Sequence, residues 1–221
     1  MQKFATPAPI ATVLDIPAGR IRFIAADRAD TVVEVLPANA AKGRDVKAAE
    51  QTTIEYRDGV LRIEATAKNQ YLGASGSVEV TVQLPAGSRI EAKAASADLR
   101  GVGRLGDVAF EAAQSSVKLD EAASAHLTLQ AGDIAIGRLS GTAELSTQKG
   151  DLHITEAVRG TVTLRTEYGE IAVGAARGAS ASLDAGTSYG RIHNTLRNTD
   201  GAADLNIHAT TAYGNITARS L

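Results

Sequence analysis

The sequence predicts an all-β fold in which residues 90–221 form a single-stranded β-solenoid of about seven coils. Three observations predict it: a strand pattern that recurs about every nineteen residues, a repeated corner of glycine, acid and aliphatic residue, and an aliphatic composition. Aromatic residues make up only 4% of the chain and Trp is absent, so the core must consist of thin aliphatic layers. Stacked coils bury such layers because each coil covers the next.

The first inward residue of each coil defines the repeat. Successive first residues are separated by 18, 19, 18, 19, 19 and 24 positions, and a second inward residue follows seven or nine positions later. The first residues are Ile90, Val108, Leu127, Leu145, Leu164, Leu183 and Ile207. The two spacings differ by two, and because strand side chains alternate, this even difference keeps the second residue facing inward in every coil. We therefore expect two inward ladders, Leu127–Leu145–Leu164–Leu183 and Ile134–Leu152–Ile171–Ile192.

The corner between the two strands of a coil distinguishes a solenoid from an ordinary sandwich. A sandwich also has short strands at intervals of about 8–12 residues. It does not predict that one corner recurs at residues 132–134, 150–152 and 169–171, where glycine precedes an acidic and an aliphatic residue.

Residues 1–89 are predicted to form a β-rich N-terminal cap that opens the solenoid and is continuous with residues 90–221. A Pro-Ala-Gly corner at residues 17–19 recurs at residues 85–87. Strand patterns lie at residues 31–36, 53–56, 60–65 and 77–84, and residues 57–59 (Arg-Asp-Gly) predict a hairpin turn. Residues 37–51 form either a polar loop or one short helix. Terminal coils need such a cover to remain soluble.

These motifs resemble a known family. The strand Val-Thr-Val-Gln-Leu-Pro-Ala-Gly at residues 80–87, followed by coils with the glycine–acid–aliphatic corner, is similar to the DUF4097 group, also labelled “putative adhesin” or β-strand repeat-containing proteins. The similarity extends over residues 10–221. It implies a β-solenoid without a cofactor or assigned catalytic residues, and a bacterial role in cell-envelope association or stress signalling.

Composition excludes several classes of function. The 23 basic and 25 acidic residues are well mixed, so no basic patch predicts a nucleic-acid partner. Cys is absent, which excludes disulfides and thiolate metal sites. No segment approaches the roughly 18 apolar residues needed to span a bilayer, and no signal-peptide pattern is present. We expect a cytoplasmic location, with envelope association through a partner.

Three tyrosines are the candidate ligand-binding residues. Tyr168, Tyr189 and Tyr213 occupy one corner position in the last three coils, each before a glycine and three residues before an inward residue. This odd spacing places the rings outside, as one ladder that could hold a sugar or a peptide. Alternatively, stacked aromatic rings only stabilise adjacent strands, by about 0.2–1 kcal/mol per pair. The same position in earlier coils holds Ser96, Gln114, Ala131 and Lys149.

A second outward row consists of Asp133, Asp151 and Glu170, with Arg191 expected on the next rung beside Glu170. Like charges about 5 Å apart repel, so the row requires solvent, ionic partners or a cation. We favour the interpretation that this acidic row forms a solvated face.

The four histidines do not cluster. His153 and His193 are expected two coils apart, about 10 Å, with Ala172 between them, while His126 and His208 lie on the other strand. We therefore predict no metal site, no catalytic residues and no cofactor.

The sequence leaves three possible functions, each from a different class of protein. We favour a non-catalytic binding or scaffold module for a protein or glycan partner. The alternative is a self-assembling structural protein, similar to bactofilin-like solenoids. The C-terminal coil, ending five residues after Ile216, would then leave an open strand edge for a second copy. A carbohydrate-active β-helix enzyme is the least favoured, since only Asp133, Asp151 and Glu170 could imitate its acidic residues.

Overall fold

A computed structural model describes residues 1–65, 76–198 and 202–221. These residues form seventeen strands and one short helix, which confirms the all-β class. They divide into two compact units, Met1–Ser115 and Ser116–Leu221, which are described separately. The predicted boundary at residue 89 and the number of coils stay predictions.

The first unit is organised around one long parallel strand. Its elements are β1 (Gln2–Ala5), β2 (Ala11–Ala26), β3 (Asp30–Pro37), α1 (Gly43–Gln51), β4 (Thr52–Arg57), β5 (Val60–Ala65), β6 (Val78–Pro85) and β7 (Arg89–Gln114). Strand β2 pairs in parallel with β5, β6 and β7, and alternate residues are buried on each side of residues 17–20: Leu14 and Ile16 before them, Ile21 and Phe23 after them. This alternation is what a strand with one inward face requires.

The local predictions for this unit hold. Strands β4 and β5 form an antiparallel hairpin, and its turn residues Asp58 and Gly59 have φ of 51° and 78°. The predicted loop or helix at residues 37–51 contains helix α1. Buried Asp45 in the first helical turn accepts a hydrogen bond of 3.0 Å from the Ser77 backbone N–H, which ties the helix to the start of β6.

A charged cluster connects β1 and β3 in the same unit. The Arg28 Nε atom lies 2.7 Å from Asp30 Oδ1, and the Lys3 Nζ atom lies 2.8 Å from Asp30 Oδ2. Hydrogen bonds from Arg28 and then Lys3 lower the pKa of Asp30 to about 2, because both partners favour the ionised carboxylate.

The second unit consists of two stacks of parallel strands. Its elements are β8 (Val117–Ala131), β9 (Ile134–Leu139), β10 (Ala143–Lys149), β11 (Leu152–Ala157), β12 (Gly160–Tyr168), β13 (Ile171–Ala175), β14 (Ala181–Tyr189), β15 (Ile192–Thr195), β16 (Leu205–Tyr213) and β17 (Ile216–Ser220). The first stack runs β8, β10, β12, β16, β14. The second runs β8, β9, β11, β13, β17, β15.

The first three members of each predicted inward ladder are confirmed. Leu127, Leu145 and Leu164 lie opposite one another, and each side chain is fully buried. Ile134, Leu152 and Ile171 form the second buried ladder.

The expected order of the last two coils is wrong. Strand β16 lies between β12 and β14, so the residue opposite Leu164 is Ala209, whereas Leu183 lies opposite Ile207 and is only half-buried. Likewise β17 lies between β13 and β15, and Ile192 lies opposite Ile216 with 46% of its surface exposed. Leu183 therefore leaves the first predicted ladder, whereas Ile192 stays in line with the second, one rung beyond Ile216.

The inward residues of these strands give the physical reason. Strand β16 offers Leu205, Ile207 and Ala209, all buried, so it gains from neighbours on both sides. Strand β15 carries Asn194 at an inward position, opposite Ala218, and this polar side chain suits a rung exposed to solvent.

The predicted open edge at the C-terminal coil is wrong for the same reason. Strand β17 pairs on both sides, with β13 and β15. In the described parts of the second unit, β14 pairs only with β16, and β15 only with β17. These two strands form what we call the terminal coil, and they carry the open edges.

Within residues 1–65, 76–198 and 202–221, no helix has the length and apolar character to cross a membrane. The cytoplasmic location stays a prediction.

Candidate functional site

The candidate site lies at the corner that joins the two stacks of the second unit. Tyr168, Tyr213 and Tyr189 end strands β12, β16 and β14, and each is followed by a glycine. A Cβ atom added to Gly169 would lie 1.9 Å from the Gly150 carbonyl oxygen, so a larger residue would collide with the neighbouring backbone. The corner therefore requires glycine and brings successive coils into close contact.

A row of threonines fixes the same corner from inside. The Thr166 hydroxyl donates to the Gly150 carbonyl oxygen at 3.0 Å, and the Thr211 hydroxyl donates to the Gly169 carbonyl oxygen at 3.1 Å. Thr187 donates in the same way to Gly214. Each hydroxyl thus holds one corner against a neighbouring corner, and the tyrosine two residues later takes a defined position.

The three tyrosines form the predicted ladder. The ring centroids of Tyr168 and Tyr213 are 5.0 Å apart with planes inclined by 3°, and those of Tyr213 and Tyr189 are 4.8 Å apart with planes inclined by 5°. The three residues are 54%, 47% and 67% exposed, respectively. The ladder is confirmed, but its order is Tyr168, Tyr213, Tyr189 because β16 lies between β12 and β14.

Stacking determines what this ladder presents to solvent. The ring faces of Tyr213 contact Tyr168 on one side and Tyr189 on the other, so ring edges rather than faces point outward. Among the described residues, none hydrogen-bonds to these three hydroxyl groups. The outer face of Tyr189 is uncovered by any described strand because β14 belongs to the terminal coil. The surface is therefore a row of phenol groups, with one open ring face at its end.

Two residues of earlier strands continue the row of the tyrosine ladder beyond Tyr168. Lys149 lies opposite Tyr168 on β10, and Ala131 lies opposite Lys149 on β8. A primary ammonium group thus borders the aromatic ladder at the end away from the terminal coil.

The acidic row has a structural role. Asp133 Oδ1 accepts the backbone N–H of Asp151 at 2.8 Å, and Asp151 Oδ1 accepts the backbone N–H of Glu170 at 2.8 Å. Bonds of this kind satisfy corner N–H groups and offset charge repulsion. All three carboxylates are exposed to solvent at the corner. The acidic residues of a carbohydrate-active enzyme would instead need a cleft.

The prediction that Arg191 lies on the rung beside Glu170 is wrong. Asn215 occupies that rung: its Nδ2 atom donates to Glu170 Oε1 at 3.1 Å, and its Oδ1 atom accepts the Arg191 backbone N–H at 3.0 Å. Arg191 lies one rung further because β17 separates β13 from β15.

The histidines are separated, as predicted. His153 lies opposite Ala172, and Thr217 now stands between Ala172 and His193, so three rungs rather than two separate the imidazoles. Exposed His126 and His208 lie 3.4 Å from Glu144 and Asp184, respectively. No group of three side chains able to bind a metal occurs within the described ranges.

Parallel in-register strands, repeated glycine corners and an external tyrosine ladder define an all-β repeat protein. The family model of DUF4097, described as Toastrack DUF4097, matches residues 14–220. The chain therefore belongs to the DUF4097 family. A comparison with curated proteins finds no match.

Three solved structures to which the chain is similar come from Bacteroides fragilis, Parabacteroides distasonis and Clostridium sporogenes. A “putative adhesin” from Bacteroides fragilis has 11% identity and a TM-score of 0.46, covering 98% of this chain and 95% of that one. A “putative lipid binding protein” from Parabacteroides distasonis has 10% identity and a TM-score of 0.44 over the same shares. A “putative cell adhesion protein” from Clostridium sporogenes has 10% identity and a TM-score of 0.41, covering 100% and 98%.

Proposed function

We propose that this protein is a non-catalytic β-solenoid module that binds a protein or glycan partner through the tyrosine ladder. The observation that carries the proposal is the exposure of Tyr168, Tyr189 and Tyr213 as one continuous stack. The corner itself is held by the threonine and glycine rows, which do not need an aromatic residue at this position. Association with the cell envelope through such a partner is part of the proposal.

The geometry favours an extended ligand that lies along the ladder. Stacked rings 4.8–5.0 Å apart place three hydroxyl groups in a row, each able to donate and accept a hydrogen bond. Glycan hydroxyls or the polar groups of an extended peptide can pair with such a row. Mutual stacking already restricts the rings, so binding loses little side-chain entropy.

Replacing Tyr168, Tyr189 and Tyr213 together by Ser is expected to abolish binding to ligands found on a glycan array or in an immobilised peptide library. Circular dichroism should remain unchanged, because the rings lie outside the core and each stacked pair contributes only about 0.2–1 kcal/mol.

The triple Tyr→Phe variant is the matched control, because it retains the stack and removes only the hydroxyls. Its binding should fall if the hydroxyl row recognises the ligand. If the Ser variant loses thermal stability sharply while a ligand identified for the wild type still binds, the ladder is structural and the proposal fails.

Self-assembly through the terminal coil is the second candidate. Strands β14 and β15 each lack a second neighbour among the described residues, and Ile192 is 46% exposed although it occupies an inward position. Unpaired edges are templates for another chain. One peptide strand could cover only one of the two edges, whereas the terminal coil of a second copy could cover both.

The mass measured by light scattering across a concentration series tests this candidate. Self-assembly predicts a mass that rises with concentration and a shift towards monomer in Ile192→Lys. Thr163→Lys, on the outer side of an internal strand, is the control and should behave as the wild type. A constant monomer mass for the wild type would eliminate this candidate.

A further inference from the structure

A concave surface lies at the turns that follow β11 and β13, in the same unit as the tyrosine ladder but at another corner. It is a groove of about 570 Å³, within the range of about 300–1,000 Å³ typical of small-molecule sites. We call it the corner groove. Val158, Arg159, Ala176, Arg177 and Asp204 are the lining residues that matter for its chemistry.

The backbone places the two arginines in the turns that follow the neighbouring strands β11 and β13. Ala157 lies opposite Ala175, and the Ala176 N–H donates to the Ala157 carbonyl oxygen at 2.8 Å. Arg159 and Arg177 each follow this pair by two positions, on turns of unequal length, and both line the groove. Both side chains are exposed.

The charge of the corner groove is positive and unbalanced. Within the part of the chain that the structure describes, neither Arg159 nor Arg177 forms an ion pair or a side-chain hydrogen bond. Among the described lining residues, Asp204 contributes one carboxylate against the two guanidinium groups. Two like charges that line one groove repel, and an anion between them would relieve that repulsion.

The floor of the corner groove is apolar. Val158 is half-buried and Ala176 is buried between the turns, and both contribute to the lining. A cationic rim over an aliphatic floor matches a ligand with an acidic head and a short apolar body.

We propose that the corner groove binds a small amphiphilic anion, with a carboxylate or phosphate head between Arg159 and Arg177 and an aliphatic body against Val158 and Ala176. The site is separate from the tyrosine ladder, so the triple Tyr→Ser variant should bind the anion normally. The two proposals can therefore fail independently.

Titration of the isotope-labelled full chain with octanoate, followed by amide chemical shifts, tests this inference. Shifts should concentrate at residues 158–160 and 176–179. The double variant Arg159→Gln/Arg177→Gln should weaken octanoate binding at least about tenfold, because two charge-assisted hydrogen bonds are lost. The matched control Arg165→Gln/Arg191→Gln removes the same charge elsewhere and should bind as the wild type.

Two comparison probes identify which part of the ligand is recognised. Octanol, which lacks the charge, and inorganic phosphate, which lacks the aliphatic body, should both bind more weakly than octanoate. Equal binding of octanol would overturn the role of the arginines, and equal binding of phosphate would overturn the amphiphile assignment. An equal loss of binding in both double variants would show a general charge effect and overturn the site.

Discussion

Leu164→Ala is expected to lower the free energy of unfolding by about 2–5 kcal/mol. The side chain is fully buried between Leu145 and Ala209, and both neighbours belong to strands that are themselves paired on both sides. The ladder cannot collapse into the cavity without breaking the strand register, so the loss includes a cavity contribution. Urea denaturation followed by circular dichroism measures the difference.

Leu183→Ala is the control for that prediction. The substitution is chemically identical, but Leu183 is half-buried in the terminal coil and has Ile207 opposite it on one side only. The expected loss is below about 2 kcal/mol, because solvent already reaches the site. Equal losses in the two variants would contradict the inserted position of β16.

Gly169→Ala is expected to destabilise the protein by about 1–3 kcal/mol or more. The new Cβ atom would lie 1.9 Å from the Gly150 carbonyl oxygen, and this oxygen also accepts the Thr166 hydroxyl. Relief requires the two coils to separate at the corner, which breaks the threonine bond and tilts Tyr168. Thermal unfolding of the variant provides the measurement.

Gly186→Ala supplies the comparison for the corner glycine. A Cβ atom added there meets no atom within 4 Å. The variant should match the wild type or gain about 0.4–1 kcal/mol, since alanine restricts the unfolded chain. A similar loss in both glycine variants would show that steric contact at the corner is not the cause.

Local regularity explains the parts of the fold that the sequence predicts correctly. The register of Leu127, Leu145 and Leu164 follows from their near-constant interval, because strands that pair in parallel keep equivalent residues opposite one another. The tyrosine ladder follows from the same rule, since each ring precedes an inward residue by three positions.

The order of the last strands depends on a non-local competition that the repeat does not encode. Either of two coils could lie beside β12, and burial favours the one with Leu205, Ile207 and Ala209. Two signals were present in the sequence: the 24-residue interval after Leu183, and the polar Asn194 at an inward position.

The candidate sites also contain features that the local repeat predicts and features that depend on strand order. The exposure of the tyrosines is predictable, but the roles of Asn215 and Arg191 depend on strand order. The corner groove was not predicted, although Arg159 and Arg177 lie 18 residues apart, the same interval that separates Leu145 from Leu127. A charge that recurs at the repeat interval is a signal for side chains that lie at the same corner.

The strand order determines the order of the rings in the tyrosine ladder and the open edge of the terminal coil, and a disulfide tests it directly. The chain contains no Cys, so two introduced residues can pair only with each other within one molecule. Thr163 lies opposite His208, whereas stacking in the order of the sequence would place Thr163 opposite Ser182. Disulfides form only where the two Cα atoms lie within about 7 Å.

Oxidation of Thr163→Cys/His208→Cys and of Thr163→Cys/Ser182→Cys, with free thiols counted by mass spectrometry after alkylation, is the decisive measurement. The inserted order of β16 predicts that the 163/208 pair closes, while the 163/182 pair, two rungs apart, keeps both thiols. Closure of the 163/182 pair, with both thiols of the 163/208 pair remaining free, would contradict the strand order and the central position of Tyr213 in the ladder.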